Sequence, residues 1–287
     1  MKIFLQLLEQ MAILFVKIVP FKALSWLLKF LPSSVMARLI STFKLQKIFN
    51  VSLFEKEFLL ESGPRDDHYL DLEKDGLRSW EHEALAIWAS EAMQAEIAVD
   101  IGAYLGVYSI LAAKLGCPKI LAIEPNSSNF SQLQRNLYLN GLSDSVQTHQ
   151  VALGSESKSV SIITPRGRPN SSGSQIENSP TGRELGSWVV ESEVKMVTLD
   201  SLLSEETARI SLVKIDAEGF ELFILQGARE TLESSGPAII IELLNQEKKN
   251  EADDFLEEFG YLKGAPIENT SSCTNFFFHK PARFRTI

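Results

Sequence analysis

Between Asp100 and Ser109 the chain reads Asp-Ile-Gly102-Ala103-Tyr104-Leu-Gly106-Val-Tyr108-Ser. Gly102 permits a tight turn, and Gly106 lets a following helix start close to a sheet or a ligand. The string Glu124-Pro125-Asn126 closes the next apolar run. A carboxylate about 20 residues beyond a glycine turn is placed to accept both ribose hydroxyls of a nucleoside. A dinucleotide site wants Gly-x-Gly-x-x-Gly, with the pyrophosphate on the helix N-terminus. Here Tyr104 stands between Gly102 and Gly106. A side chain there obstructs a pyrophosphate but not a small nucleoside without phosphates. That favours S-adenosylmethionine over NAD.

Such residues work only at the carboxyl ends of parallel strands. The chain supplies strands as short apolar runs, at 97–100, 119–124, 146–153, 210–216 and 238–243. Helical patterns separate them, at 80–96, 106–116, 127–140, 219–234 and 248–259. This alternation predicts an α/β fold, a mostly parallel sheet wrapped by helices. Buried parallel strands are apolar throughout, as most of these runs are. A closing strand over 275–279 reads as an antiparallel edge. The stretch 155–195, rich in Ser, Gly, Pro and Asn, is longer than a plain connection and reads as an irregular, flexible lid, with 165–188 as the acceptor gate. Gly227 reads as a packing glycine inside the helix 219–234.

Hydrophobic residues make up 45% and charged residues 23% of the 287, which excludes a disordered or collagenous chain. Cys117 and Cys273 form no CxxC, so no thiolate zinc cluster or redox pair is expected, and reduced cytoplasmic thiols are. The net charge of −9 is uneven: residues 1–50 carry +6 and the rest −15. The acidic body argues against nucleic acid as a partner. Residues 1–50 read as helical and apolar, broken at Pro20 and Pro32. Glu9, Lys17, Lys22 and Lys29 interrupt every membrane-spanning window, each lysine costing roughly 3 kcal/mol at a bilayer centre. Two readings stand: a peripheral anchor with lysines on anionic lipid, or a helical cap or dimer arm packed on the main domain. The expected division is an N-terminal helical region, 1–75, and a catalytic domain, 76–287.

The strings VDIGAYLGVYS, AIEPNSSNFSQLQRNLYLNGL, VALG, VTLDSLL, VKIDAEGFELFILQGARETL and IIIEL follow one another in this chain. In order and spacing they resemble the FkbM family of S-adenosylmethionine-dependent methyltransferases, from about residue 97 to 279. The resemblance implies a class I methyltransferase fold, Rossmann-like, with about seven strands. It implies that Asp100 and the turn Gly102, Ala103, Tyr104 and Gly106, leading into Tyr108 and Ser109, hold the amino-acid end of the cofactor. Glu124 and Pro125 would take the ribose. Asn126 with Val151 and Ala152 would flank the adenine, and Asp216 would lie beside the transferable methyl. The acceptor implied is a hydroxyl of a carbohydrate, glycolipid or natural product. The family's turn usually reads Gly-Ala-Asn. With Tyr104 at the third place, either its hydroxyl substitutes for the amide or the chain is a lapsed cofactor-binding scaffold. An NAD-dependent oxidoreductase and a membrane-surface adaptor are the readings from other classes.

A sulfonium methyl is electrophilic, so the protein must position an oxygen nucleophile and take its proton. Candidate bases at strand ends are Asp216, Glu242 and Glu218, the first two ending buried runs. Glu218 and Glu221 also begin a helix, where its dipole favours carboxylates. His149 reads as a core or surface histidine, and His68, His82 and His279 show no partner motif. Asp216, Glu242 and Asn245 would suit magnesium, but spacing alone establishes no metal site and none is assigned.

Overall fold

The computed structural model describes residues 47–63, 66–78, 80–180, 188–204, 207–269 and 273–281. It opens with a tight antiparallel hairpin, β1 (Lys47–Leu53) and β2 (Lys56–Ser62), turning through Phe54 and Glu55 at positive φ. Residues 47–50 are therefore strand, where the sequence pattern suggested helix. The rest of the apolar head lies outside the described residues. Two helices follow, α1 (Tyr69–Asp75) and α2 (His82–Ala92).

The expected alternation then begins. It runs β3 (Ile97–Ile101), α3 (Val107–Leu115), β4 (Lys119–Ile123), α4 (Ser127–Leu139) and β5 (Val146–His149). All five residues of β3 are buried, Asp100 included. Helix α3 starts after Gly106, in the left-handed region, and Gly116 ends it in the same conformation, its N–H reaching Ala112 and Ala113 carbonyls.

The stretch expected to be an irregular lid contributes strands to a second sheet, and residues 181–187, part of the expected acceptor gate, lie outside the described residues. The second sheet contains β6 (Ala152–Leu153), β7 (Lys158–Pro165), β8 (Gln175–Ile176) and β9 (Trp188–Val197), in the order β6-β9-β7-β8. The run 146–153 accordingly divides, β5 staying in the main sheet and β6 pairing with β9. A short α5 (Leu199–Leu202) leads to β10 (Ile210–Ile215).

The helix expected over 219–234 is two helices, α6 (Glu221–Gln226) and α7 (Arg229–Ser234). Gly227 sits at their break. A Cβ there would stand 2.1 Å from the Gly154 carbonyl oxygen, so the glycine is a packing residue at a joint rather than within a helix. Asp200 starts α7 by accepting the Glu230 and Thr231 amides and the Thr231 hydroxyl. The chain closes with β11 (Ala238–Leu243), α8 (Gln246–Glu257), β12 (Ala265–Asn269) and β13 (Thr274–Phe278).

The main sheet has seven strands in the order β12-β13-β11-β10-β3-β4-β5. The five strands from β11 to β5 are parallel, and β13 runs antiparallel to β11, as expected of a Rossmann-like class I fold. Successive strand residues face opposite cores. Ala98, Ile120, Ala122, Leu212 and Ile240 join the hairpin, α2, α3 and α4. Ile97, Val99, Leu121, Val213 and Ile239 join α6, α7 and α8. The hairpin residues Phe49, Val51, Phe58 and Leu60 belong to the first of these cores. Phe49, Val51, Leu53, Phe58, Leu60 and Leu72 thus pack into the body of the domain. No helix among the described residues is long and apolar enough to cross a membrane.

Candidate active site

Strand order reverses on either side of β3, and a cleft of about 500 Å³ opens at the carboxyl ends there. Its floor is the turn after β3. Gly102 adopts φ +80, and a Cβ on it would stand 1.8 Å from the Asp216 carbonyl oxygen, so the tip of β3 and the tip of β10 meet backbone to backbone. The Gly102 and Ala103 amides both donate to the Ile123 carbonyl, at 2.9 and 3.0 Å. Tyr104 sits at φ +50, and Glu81 and Glu218, also on the cleft wall, share the left-handed region. Such conformations cost a side-chain-bearing residue of order 1–3 kcal/mol and concentrate where a site demands them.

Glu124 is buried at the end of β4. Its Oε2 accepts the Tyr104 amide and its Oε1 the Asn126 amide, each at 2.9 Å. Burial pushes its carboxyl up to about 7, against the lowering effect of those amides. Asn126 is fully buried and does not reach the cleft wall. Its Oδ1 caps α4 through the Ser128 and Asn129 amides, and its Nδ2 donates to the Pro169 carbonyl and Ser174 hydroxyl. Asp100 and Ser109 also stand behind the wall. Asp100 Oδ2 accepts both the amide and the hydroxyl of Ser109, at 3.1 and 2.6 Å, and pins α3 to β3. Gly106, φ +86, lets Leu133 approach: an added Cβ would meet its Cδ1 at 2.5 Å.

Of the expected residues, Gly102, Ala103, Tyr104, Tyr108, Glu124, Pro125, Val151, Ala152, Asp216, Glu218 and Glu242 line the cleft. Asp100, Gly106, Ser109 and Asn126 frame it. Two further expectations resolve into structural roles. Glu221 accepts the Ala217 and Gly219 amides and so shapes the turn after β10. Asn245 accepts the Lys248 amide and caps α8. Among the described residues no group of three or more His, Cys, Asp or Glu side chains could hold a metal ion. His149 ends β5, away from the cleft wall, and its carbonyl takes the Glu124 amide.

The sequence reading missed the ammonium beneath the cleft. Lys214 is buried in β10, beside Asp100 in register, with its Nζ 2.9 Å from Asp216 Oδ2 and 4.6 Å from the Tyr108 ring centre. Burial acts to lower its pKa, but the charges of Asp216, Glu81 and Asp100 together outweigh that and raise it. Burial acts to raise Asp216 as well. The Lys214 charge and hydrogen bonds from Lys214 and Glu242 outweigh that and hold it below the usual range. Glu242 is pushed up to about 9, first by burial and then by the Asp216 charge, and it accepts the Cys273 thiol at 2.6 Å. At neutral pH Glu242 is thus a proton holder beside an ionised Asp216. A lysine inside an otherwise apolar run was the available signal.

A roof closes the other side. Residues 166–174 connect β7 and β8 and are fastened rather than loose. Asp67 pairs with Arg168 and accepts the Ser171 hydroxyl and the Ser172 amide and hydroxyl. Asn129 Nδ2 donates to the Ser171 carbonyl. The Tyr104 hydroxyl donates to Asp66 and lies 3.1 Å from the Asn170 carbonyl. Trp80, His68, Glu81 and Trp188 also line the cleft.

The description "Methyltransferase FkbM domain" matches residues 100–263. The chain is 31% identical over 143 residues to Methyltransferase 1 of Beauveria bassiana (strain ARSEF 2860), covering 45% of this chain and 57% of that one. It is 29% identical over 155 residues to Methyltransferase sdnD of Sordaria araneosa, covering 46% and 60%. The chain thus spans less than two thirds of either relative. Among solved structures, methyltransferase FkbM from Methylobacillus flagellatus KT aligns with 75% of this chain and 61% of its own, at 15% identity and a TM-score of 0.46.

Proposed function

The chain belongs to the FkbM methyltransferase family, and from that premise we propose that it transfers the methyl group of S-adenosylmethionine to a hydroxyl of a carbohydrate, glycolipid or related natural product. The observation that carries the cofactor reading is Glu124. Each of its oxygens takes one backbone amide, the Asn129 side chain adds a further hydrogen bond, and the carboxylate lines the cleft at the strand end where a ribose would lie. Val151, Ala152, Leu153 and Phe220 give an apolar slot for the base. The turn at Gly102–Tyr104 meets the tip of β10 at Asp216. Both cations named on the cleft wall are engaged: Lys214 with Asp216, and Arg168 with Asp67. That supports a nucleoside without phosphates over a dinucleotide.

When bound, S-adenosylmethionine supplies an electrophilic methyl group on a positively charged sulfur. The ionised Asp216 places negative charge at the tip of β10, where it favours a cation. Glu242, holding its proton at neutral pH, donates it to Asp216 in a hydrogen bond and so helps keep that carboxylate ionised beside the bound sulfur. Trp80, Trp188 and Tyr104 line the cleft with aromatic side chains, a surface suited to a sugar. The +6 of residues 1–50 supports a peripheral membrane contact, with a lipid-linked glycan as the acceptor, or pairing with a second copy. Calorimetry with S-adenosylhomocysteine and with NAD tests the reading. Heat from the first alone is expected, and heat from NAD alone would reverse it. Mass spectrometry of methyl and octyl glycosides incubated with enzyme and S-adenosylmethionine then looks for the added methyl group.

A further inference from the structure

One imidazole on the cleft wall has a partner that no sequence motif announces. His68 stands immediately before α1, and its Nδ1 lies 3.3 Å from Asp71 Oδ2, three residues on. Its backbone N–H donates to Asp66 Oδ1 at 3.1 Å. Its ring lies against Trp80, centres 4.9 Å apart, and edge-on to Tyr104 at 5.6 Å. The ring is thus braced by two aromatic neighbours and at one nitrogen. With Nδ1 turned to a carboxylate, the other nitrogen, Nε2, is left for the cleft that His68 lines. Tyr104 belongs to the glycine turn, so the imidazole stands one side chain away from the place proposed for the methionine moiety.

Resting on the methyl-transfer reading, we propose that His68 is the general base for the acceptor hydroxyl and that Asp71 is its positioning residue. The hydroxyl proton passes to Nε2 as the oxygen bonds to the methyl carbon. The carbon–sulfur bond breaks and its electron pair stays on sulfur, leaving a neutral thioether. The imidazolium then returns its proton to water. Two of the strand-end carboxylates are poorly suited to that task. Asp216 is committed to Lys214, and Glu242 already carries a proton and receives the Cys273 thiol. The charged and titratable groups facing the imidazole are Asp66 and Asp71 on its own segment, Glu81 before α2, Tyr104 from the turn after β3 and Asp216 from β10.

The test observes the proton directly. Long-range proton–nitrogen NMR on the full chain with labelled histidine, assigned with His68→Gln, reads which nitrogen is bare. The expected neutral form at about pH 8 carries its hydrogen on Nδ1, and Asp71→Asn shifts it toward the other tautomer. Hydrogen on Nε2, or no response to Asp71→Asn, overturns the proposal whether or not an acceptor is in hand. With a methyl or octyl glycoside that turns over, His68→Gln is expected to lower kcat roughly 10²–10⁴-fold and to remove the acid limb of its pH profile. Acceptor KM and S-adenosylhomocysteine affinity stay unchanged. Wild-type protein that binds no S-adenosylhomocysteine sinks the methyl-transfer reading instead. Protein that binds it and turns over equally well as His68→Gln sinks only the base.

Discussion

Glu124 couples cofactor capture to pH. Its carboxyl titrates at about 7 because burial penalises the charge. Ribose hydroxyls need the ionised form, so a proton competes with the nucleoside. Affinity for S-adenosylhomocysteine should therefore hold above pH 7 and fall by up to about tenfold per unit below it. Calorimetry across that range checks the slope, and Glu124→Gln should weaken binding and flatten it. Two glycines make a second comparison at this scale. Gly102 and Gly116 both have left-handed φ, but an added Cβ meets the Asp216 carbonyl oxygen at Gly102 and nothing within 4 Å at Gly116. Gly116→Ala should cost about 1–2 kcal/mol, the conformational penalty alone. Gly102→Ala should cost roughly 1–3 kcal/mol more from overpacking, read as a lower midpoint in urea. Glu124 and Asp216 were legible in the sequence because strand-end position and spacing select them. The framing tasks of Asp100 and Asn126 were not, because their partners are set by folding.

Helix α4 and its C-cap place Gln132, Asn136 and Asn140 in one row. In the structure that row pairs with the backbone of β2. Asn140 takes the Leu59 amide and carbonyl, Asn136 the Glu61 amide, and Gln132 the Glu61 carbonyl. Asn136 also donates to the Leu105 carbonyl. Asn136→Ala leaves two backbone groups without these partners, so a loss of about 1–3 kcal/mol for each is expected, with faster exchange at the Glu61 amide. Unchanged exchange there would show that the hairpin needs no such brace. The parallel strands were legible because burial on both faces keeps them apolar. The strands β7 and β9 were not, since Ser, Lys and Glu alternate through them and lower their mean hydropathy. The roof was misread for a related reason: its Ser, Gly and Asn residues resemble a loose loop, but Asp67 and the start of α4 hold them. Asp67→Ala should speed amide exchange through 168–174, leaving the exchange of β3 and β4 as it was.

At the scale of the molecule, charge is divided between a +6 head and a −15 remainder. An anchor held by anionic lipid expects the full chain to pellet with anionic vesicles, less so as salt is added. Equal pelleting with neutral and anionic vesicles would sink the anchor. The body itself spreads beyond the stretch that carries the family pattern, residues 100–263. Asp66, Asp67, His68, Trp80 and Glu81 all stand upstream of it, and they tether the roof or line the cleft. Portability is the consequence. A fragment trimmed to the family boundaries would keep a shelf for the nucleoside but lose the fastening of its cover and the side chains that greet the second substrate. Chimaeras meant to exchange acceptor preference between relatives must therefore graft the upstream hairpin and the segment behind it together with the sheet.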